Sequence, residues 1–250
     1  MVEKINKNSL LHWFPKIKNL GIPVPDTRTI EVSHGELIRI LDGDASGVKR
    51  YIPLIKKTIE ELGGPPVFMR TDHTSAKHDY INSCFLEKDD EKTILNYIYR
   101  LIEFSEMAGI VGLPCNAIVV REFLDLEYGF RAFNSLPIAR ERRYFIRNGK
   151  VQCHHPYWPE EAIRFWKNTP PENWREKLRE LNHETDEEVK LLSEYALKVA
   201  KVMDGYWSVD FARAKDGKWY LIDMALGEVS WHPEKMPVCN ILIFKKGGKI

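Results

Sequence analysis

Trp207-Ser208-Val209-Asp210-Phe211-Ala212-Arg213, then Ala214-Lys215-Asp216-Gly217-Lys218, then Trp219-Tyr220-Leu221-Ile222-Asp223-Met224 reads as strand, turn, strand. Both flanks alternate, and Asp-Gly is the strongest short-range hairpin signal. With Asp216-Gly217 as a two-residue turn, Lys215 faces Lys218, Phe211 faces Ile222 and Asp210 faces Asp223. Directly opposed side chains have Cβ atoms about 4.5–5.5 Å apart, and like charges there destabilise the pair. Two carboxylates in a mostly apolar ribbon need a proton, a basic partner or a divalent cation. Oxygen ligands of this kind suit Mg2+, which takes one or two carboxylates together with substrate phosphates. The competing reading pairs one acid with a nearby Arg or Lys, as structural ion-pair networks do.

Working outward, residues 186–203 carry an apolar helical stripe at Val189, Leu192, Ala196, Val199 and Met203 and lead into the hairpin. Residues 160–182 read as two helical pieces split by Pro170-Pro171, and residues 130–133, 138–146 and 150–154 as strands. Residues 116–124 form a buried strand that ends in charge, and residues 91–108 a helix with Ile94, Ile98, Leu101, Ser105 and Ala108 on one face. Further upstream, residues 67–70 are a strand preceded by the breaker Gly63-Gly64-Pro65-Pro66. The stripe Val48, Ile52, Ile55, Ile59 and Leu62 marks a helix that is kinked at, or begins near, Pro53. Pro23 and Pro25 force an extended path after a short first helix. This order predicts an α+β fold of two lobes with antiparallel sheets and flanking helices. The lobes divide as residues 1–120 and 121–250, the second carrying a helical insert at 155–185.

A chain of 250 residues accommodates one large domain or two intimate lobes. Its 44% hydrophobic and 29% charged residues are those of a soluble globular protein. A net charge of +1 argues against a broad nucleic-acid or membrane partner. The four cysteines show no CxxC spacing, which predicts a reduced, cytoplasmic chain without a zinc site. The first residues lack the apolar run of a signal peptide, and no stretch is long enough for a membrane span.

Arg70-Thr71-Asp72-His73-Thr74-Ser75-Ala76-Lys77 follows a strand and suits a phosphate cradle. The Thr74 and Ser75 hydroxyls and nearby backbone N–H groups can reach phosphate oxygens, while Arg70 and Lys77 neutralise charge. The glycines of a Walker A loop are absent, and an ordinary polar turn is the competing reading. Val119-Val120-Arg121-Glu122-Phe123 ends a strand at a lobe junction. Its backbone can meet an adenine edge and its acid a ribose hydroxyl; otherwise it is a strand running into solvent. Arg131, Arg140, Arg142 and Arg143 form the densest basic cluster, with Arg140 and Arg142 on one strand face. Guanidinium groups there bind phosphate or carboxylate bidentately, whereas Arg143 is read as an outer charge paired with Glu141 and other acids. His154-His155 and His232 lack metal-ligand spacing. Trp158, Trp166 and Trp174 read as core or partner-facing anchors, since no basic stripe interleaves them as a base-stacking platform requires.

Taken in order, these segments resemble the ATP-grasp superfamily. Leu20-Gly21-Ile22-Pro23-Val24-Pro25 looks like the segment that opens many ATP-grasp domains. Phe68 to Lys77 is similar to the phosphate-side strand and loop of the cell division cycle protein 123 family. Val120-Arg121-Glu122-Phe123 and Phe130-Arg131-Ala132-Phe133 look like that family's hinge and following strand, with Gly129 in place of a Glu. Ala139-Arg140-Glu141-Arg142 stands near its Ser-Gln-Arg stretch, and the segments around Asp210 and Asp223 look like its metal-binding strands. The resemblance implies ATP and Mg2+ held between two lobes. Arg70 and Lys77 would reach phosphates, with Thr74 and Ser75 in the same loop. Arg121, Glu122 and Phe123 would form the hinge, and Arg131 with Arg140 or Arg142 would face phosphate or an acyl-phosphate. Asp210 and Asp223 would hold Mg2+. Ala225 stands where many relatives place an Asn metal ligand, which puts turnover in more question than binding.

Two functions follow from the resemblance. One is an ATP-dependent ligase that activates a substrate carboxylate as an acyl-phosphate. The other is a non-catalytic ATP-binding assembly factor that clasps a protein partner, as the cell division cycle protein 123 family is regarded as doing for the initiation factor carrying initiator tRNA. A nucleic-acid ligase would need a nucleophilic Lys, for which Lys77 is a poor candidate.

Overall fold

The computed structural model describes residues 6–108, 114–164 and 170–233. Among the described residues, ten strands run β1 (Thr27–Glu31), β2 (Val67–Thr71), β3 (Phe85–Leu86), β4 (Ala117–Glu122), β5 (Tyr128–Ala132), β6 (Leu136–Ala139), β7 (Glu141–Arg147), β8 (Lys150–Pro156), β9 (Tyr206–Arg213) and β10 (Trp219–Leu226). They form a sheet ordered β1-β4-β2-β3, a second ordered β10-β9-β7-β8, and the separate pair β5-β6. Every pairing is antiparallel. With the flanking helices, this is the expected α+β architecture.

The helices follow from local signals. Pro53 lies in the first turn of helix Ile52–Glu61, where its missing N–H costs no intrahelical bond, so the helix starts there and is not kinked. Helix Glu91–Ala108 buries Ile94, Ile98, Leu101 and Ile102 on the first sheet. Thr185 caps helix Asp186–Ala200, its hydroxyl accepting the Glu188 N–H at 3.2 Å. Leu192, Ala196 and Val199 of that helix pack on the second sheet. Leu10, Trp13 and Ile17 of helix Leu10–Ile17 join the same cluster, so this early segment packs with residues late in the chain. A third cluster joins Tyr80 and Cys84 to Phe130, Phe133, Trp158 and Trp174; Trp166 lies outside the described residues.

The hairpin departs from its expected register in two places that cancel. Ala214 donates its N–H to the Lys218 carbonyl at 2.9 Å, so the loop holds three residues, Lys215-Asp216-Gly217. Gly217 takes the left-handed position, φ +84°, that such a loop requires. Phe211 consequently faces Leu221 and not Ile222. A bulge between Leu221 and Asp223 then absorbs Ile222, and Asp223 returns opposite Asp210.

No helix among the described residues is long and apolar enough to cross a membrane. Cys84 and Cys115 are free and buried, whereas Cys153 is disulfide-bonded, which departs from the expectation of a fully reduced chain.

Candidate functional site

A cavity of about 820 Å3, including its open mouth, lies between the two sheets. β2 brings Phe68 and Arg70 to it, and the loop after β2 brings Ser75 and Lys77. The end of β4 and the segment beyond it bring Arg121, Glu122, Phe123 and Leu124. Glu141, Asp210, Ile222 and Asp223 come from the second sheet. Tyr80 and Trp158 also line the wall. Apolar side chains and a compact set of charges share one space.

The charges are paired across the two sheets. Arg70, only 3% exposed, donates from Nη1 to Asp223 Oδ1 at 2.9 Å. Burial pushes the Asp223 carboxyl up, but Arg70 and Arg121 outweigh it and hold it below the usual carboxylate range. Arg143 grips Asp210 with Nε to Oδ1 at 2.7 Å and Nη2 to Oδ2 at 2.8 Å. Arg121 donates from Nη1 to the Ile222 carbonyl at 2.6 Å. The bulge removes Ile222 from the register of paired residues, and its carbonyl serves this side-chain contact instead. The Arg121 Nε is buried and finds no hydrogen-bond partner among the described residues. Burial, together with the neighbouring Arg70, lowers Arg121 to about 9 despite Asp223.

The far wall is aromatic and also charged. Lys77 Nζ donates to the Tyr157 hydroxyl at 2.7 Å and sits over the Tyr157 and Trp158 rings, 4.2 and 5.0 Å from their centroids. Burial works against the ammonium, but Tyr157 and Glu141 outweigh it and keep Lys77 charged. Glu141 accepts the Trp158 indole N–H at 3.0 Å. Burial pushes its carboxyl up to about 7, with Lys77 and the indole pulling the other way.

Eight of the residues singled out from sequence thus meet in one cavity: Arg70, Ser75, Lys77, Arg121, Glu122, Phe123, Asp210 and Asp223. Four do not. Thr74 is buried away from it, its hydroxyl bonded with Thr71 and Ser105. Arg131 donates to the Ser135 carbonyl and stacks over Tyr128. Arg140 binds Glu127 and the His183 carbonyl. Arg142 binds Glu188, with further bonds to the Leu181 and His183 carbonyls. The three arginines expected to face phosphate thus stand outside this cavity. For Arg142 the reason is the two-residue alternation of β7. Arg143 is paired with Asp210 across the strands and shares its face with Glu141, while Arg142 is paired with Phe211 on the other face. Arg143, an outer charge on the sequence reading, is instead the partner of Asp210. Glu141, Tyr80 and Phe68 also line the cavity, although the sequence reading gives none of the three a ligand contact of its own.

The donor set suits a hard cation. Both hydrogen bonds to Asp223, from Arg70 and the Met224 N–H, fall on Oδ1, leaving Oδ2 as a donor. Asp210 carries a bidentate arginine but, as a carboxylate, retains lone pairs on both oxygens. Glu122 is less free than expected, because Oε1 accepts the Asp26 N–H at 2.8 Å.

A family model of the ATP-grasp domain, the third family of its clade, matches residues 61–242. Among solved structures, the chain is similar to Cdc123 from Schizosaccharomyces pombe at 15% identity and a TM-score of 0.56, over 90% of this chain and 87% of that one. It is equally similar to a C-terminally truncated form of that protein, at 16% identity and a TM-score of 0.57 with the same coverage. At such identities the likeness is one of fold. No curated protein matches the chain.

Proposed function

The chain belongs to the ATP-grasp family whose model spans residues 61–242, and from that premise we propose that it binds Mg-ATP between its two sheets and uses it as an ATP-dependent ligase. The observation that carries this reading is Arg121, buried beside Arg70 with an unpartnered Nε on the cavity wall. Like charges crowded in a low-dielectric wall are relieved by a polyanion, and a triphosphate supplies one. Arg70, Lys77 and Arg121 would meet the phosphates. Phe68, Phe123 and Leu124 offer an apolar bed for a base, and the chain beyond Glu122 leaves β4 with backbone groups to meet its edge. Asp210 and Asp223 would hold Mg2+, which when bound offsets phosphate charge.

In the ligase reading, an oxygen of a substrate carboxylate takes the γ-phosphoryl group and ADP leaves. A nucleophile then displaces phosphate from the acyl-phosphate. The chain's contribution is to orient the phosphates and stabilise developing charge with its fixed cations. The acceptor is a small molecule or a peptide.

A second reading, an ATP-binding clasp for a protein partner without turnover, is favoured by one observation. Both candidate metal ligands already carry an arginine, and Ala225 offers no side-chain donor beside them. Calorimetry with ATP and Mg2+ tests the shared premise, and absence of binding removes both readings. Incubation with Mg-ATP and mixed carboxylates, amines and peptides separates them. Release of ADP that depends on an acceptor supports the ligase, whereas tight binding with intact ATP supports the clasp.

A further inference from the structure

His34, Glu106 and Cys115 come together at a place remote in sequence and separate from the cavity between the sheets. They lie 72 and 9 positions apart, unlike the short ligand spacings typical of zinc motifs. His34 opens helix His34–Ile38, Glu106 lies in the last turn of helix Glu91–Ala108, and Cys115 precedes β4. One ligand atom from each lies within 4.8 Å of the other two. Cys115 is fully buried in the first core cluster, and Glu106 sits at the surface. The cluster therefore has a closed sulfur side and an open oxygen side.

The imidazole supplies a second observation. His34 Nδ1 is buried and makes no hydrogen bond among the described residues. It stands 3.9 Å from Glu106 Oε1, beyond hydrogen-bond reach. Two ligand atoms each about 2.1 Å from a tetrahedral zinc lie about 3.4 Å apart, so a small adjustment of the exposed Glu106 brings its oxygen to that spacing from the imidazole.

We propose that His34, Glu106 and Cys115 form a second metal site, one that takes Zn2+. The donor chemistry selects the ion. A sulfur and an imidazole nitrogen suit zinc, whereas Mg2+ favours an all-oxygen shell. Three protein ligands leave one position for water. The Cys115 proton passes to solvent as the zinc–sulfur bond forms. The ion ties the start of one helix, the end of another and the entry to β4, and so adds its binding free energy to folding. This places zinc where the cysteine spacing predicts none.

The test uses Co2+ as the probe, with the full chain and excess Mg2+ to occupy all-oxygen sites. Titration is expected to saturate at about one equivalent per chain, with a thiolate-to-cobalt charge-transfer band that added Zn2+ removes. Zn2+ alone raises the thermal midpoint. Cys115→Ser abolishes the band. His34→Gln and Glu106→Gln, at positions that can be changed without opening the core, weaken Co2+ binding by at least about tenfold, the low end for losing even an outer-shell partner. Absence of the sulfur band overturns the proposal. So does a band that survives Cys115→Ser or is unchanged in His34→Gln. If Cys115→Ser does not fold, the other two variants decide alone.

Discussion

Arg143 and Asp210 meet across β7 and β9 in a two-bond pair, Nε to Oδ1 at 2.7 Å and Nη2 to Oδ2 at 2.8 Å. Both side chains are nearly out of solvent, at 12% and 7% exposure. Removing one partner leaves the other charged and desolvated, which costs about 3–5 kcal/mol for a buried pair. Arg143→Met and Asp210→Asn are each expected to lower unfolding free energy by about that much. The double variant should lose clearly less than the sum. Urea denaturation of the four proteins checks this, and strict additivity would mean that the pair is not coupled.

Arg121 should behave in the opposite way. It is buried beside Arg70 and is lowered to about 9 by that setting. Arg121→Met gives up the bond to the Ile222 carbonyl but also removes a crowded charge. The ligand-free protein is therefore expected to keep its thermal midpoint or gain slightly. Nucleotide affinity should fall by about 10- to 100-fold, the worth of a hydrogen bond to a charged group. Calorimetry and thermal melts on one preparation separate the effects. Unchanged affinity would remove Arg121 from the phosphate site.

Much of this site was legible because the hairpin's two signals are strong, alternation and Asp-Gly. The turn nonetheless closes on three residues, and only the bulge at Ile222 brings Asp223 back opposite Asp210. Sequence carries no mark of that bulge, since Ile222 is as apolar as its neighbours. The arginines were harder. Glu141-Arg142-Arg143 puts charge on both faces of β7, so alternation alone does not say which face meets the cavity. That depends on pairing with β9, where Arg143 meets Asp210. The cluster of His34, Glu106 and Cys115 was invisible because its members are joined only by tertiary packing.

Glu141 gives a pH signature with a definite sign. Burial raises its folded value to about 7 from an ordinary 4.5. Between those two values the folded state binds more protons than the unfolded chain, so stability falls as pH rises. The stabilising contribution is full below about 4.5 and gone above about 7. At about 1.4 kcal/mol per unit, the swing is roughly 3 kcal/mol. Glu141→Gln keeps an acceptor for the Trp158 indole and should flatten this part of the stability profile. Denaturation from pH 4 to 8 on both proteins reads the difference, and parallel profiles would assign the slope to another group.

Gly129 marks where helix Trp174–Asn182 meets β5. A Cβ at this position would stand 3.0 Å from Leu181 Cδ1 and 3.3 Å from Lys177 Cβ, both on helix Trp174–Asn182. That helix occupies the space a side chain would need. Gly129→Ala is expected to cost about 1–3 kcal/mol through overpacking. Leu181 is itself buried against Phe130 and Trp174 in the third cluster, so its truncation alone also destabilises. Gly129→Ala combined with Leu181→Val should lose less than the two changes summed, because the shortened side chain admits the new methyl group. Unfolding free energies of the four proteins measure the coupling, and a sum matched by the double variant would show that the helix does not press on β5 at this point.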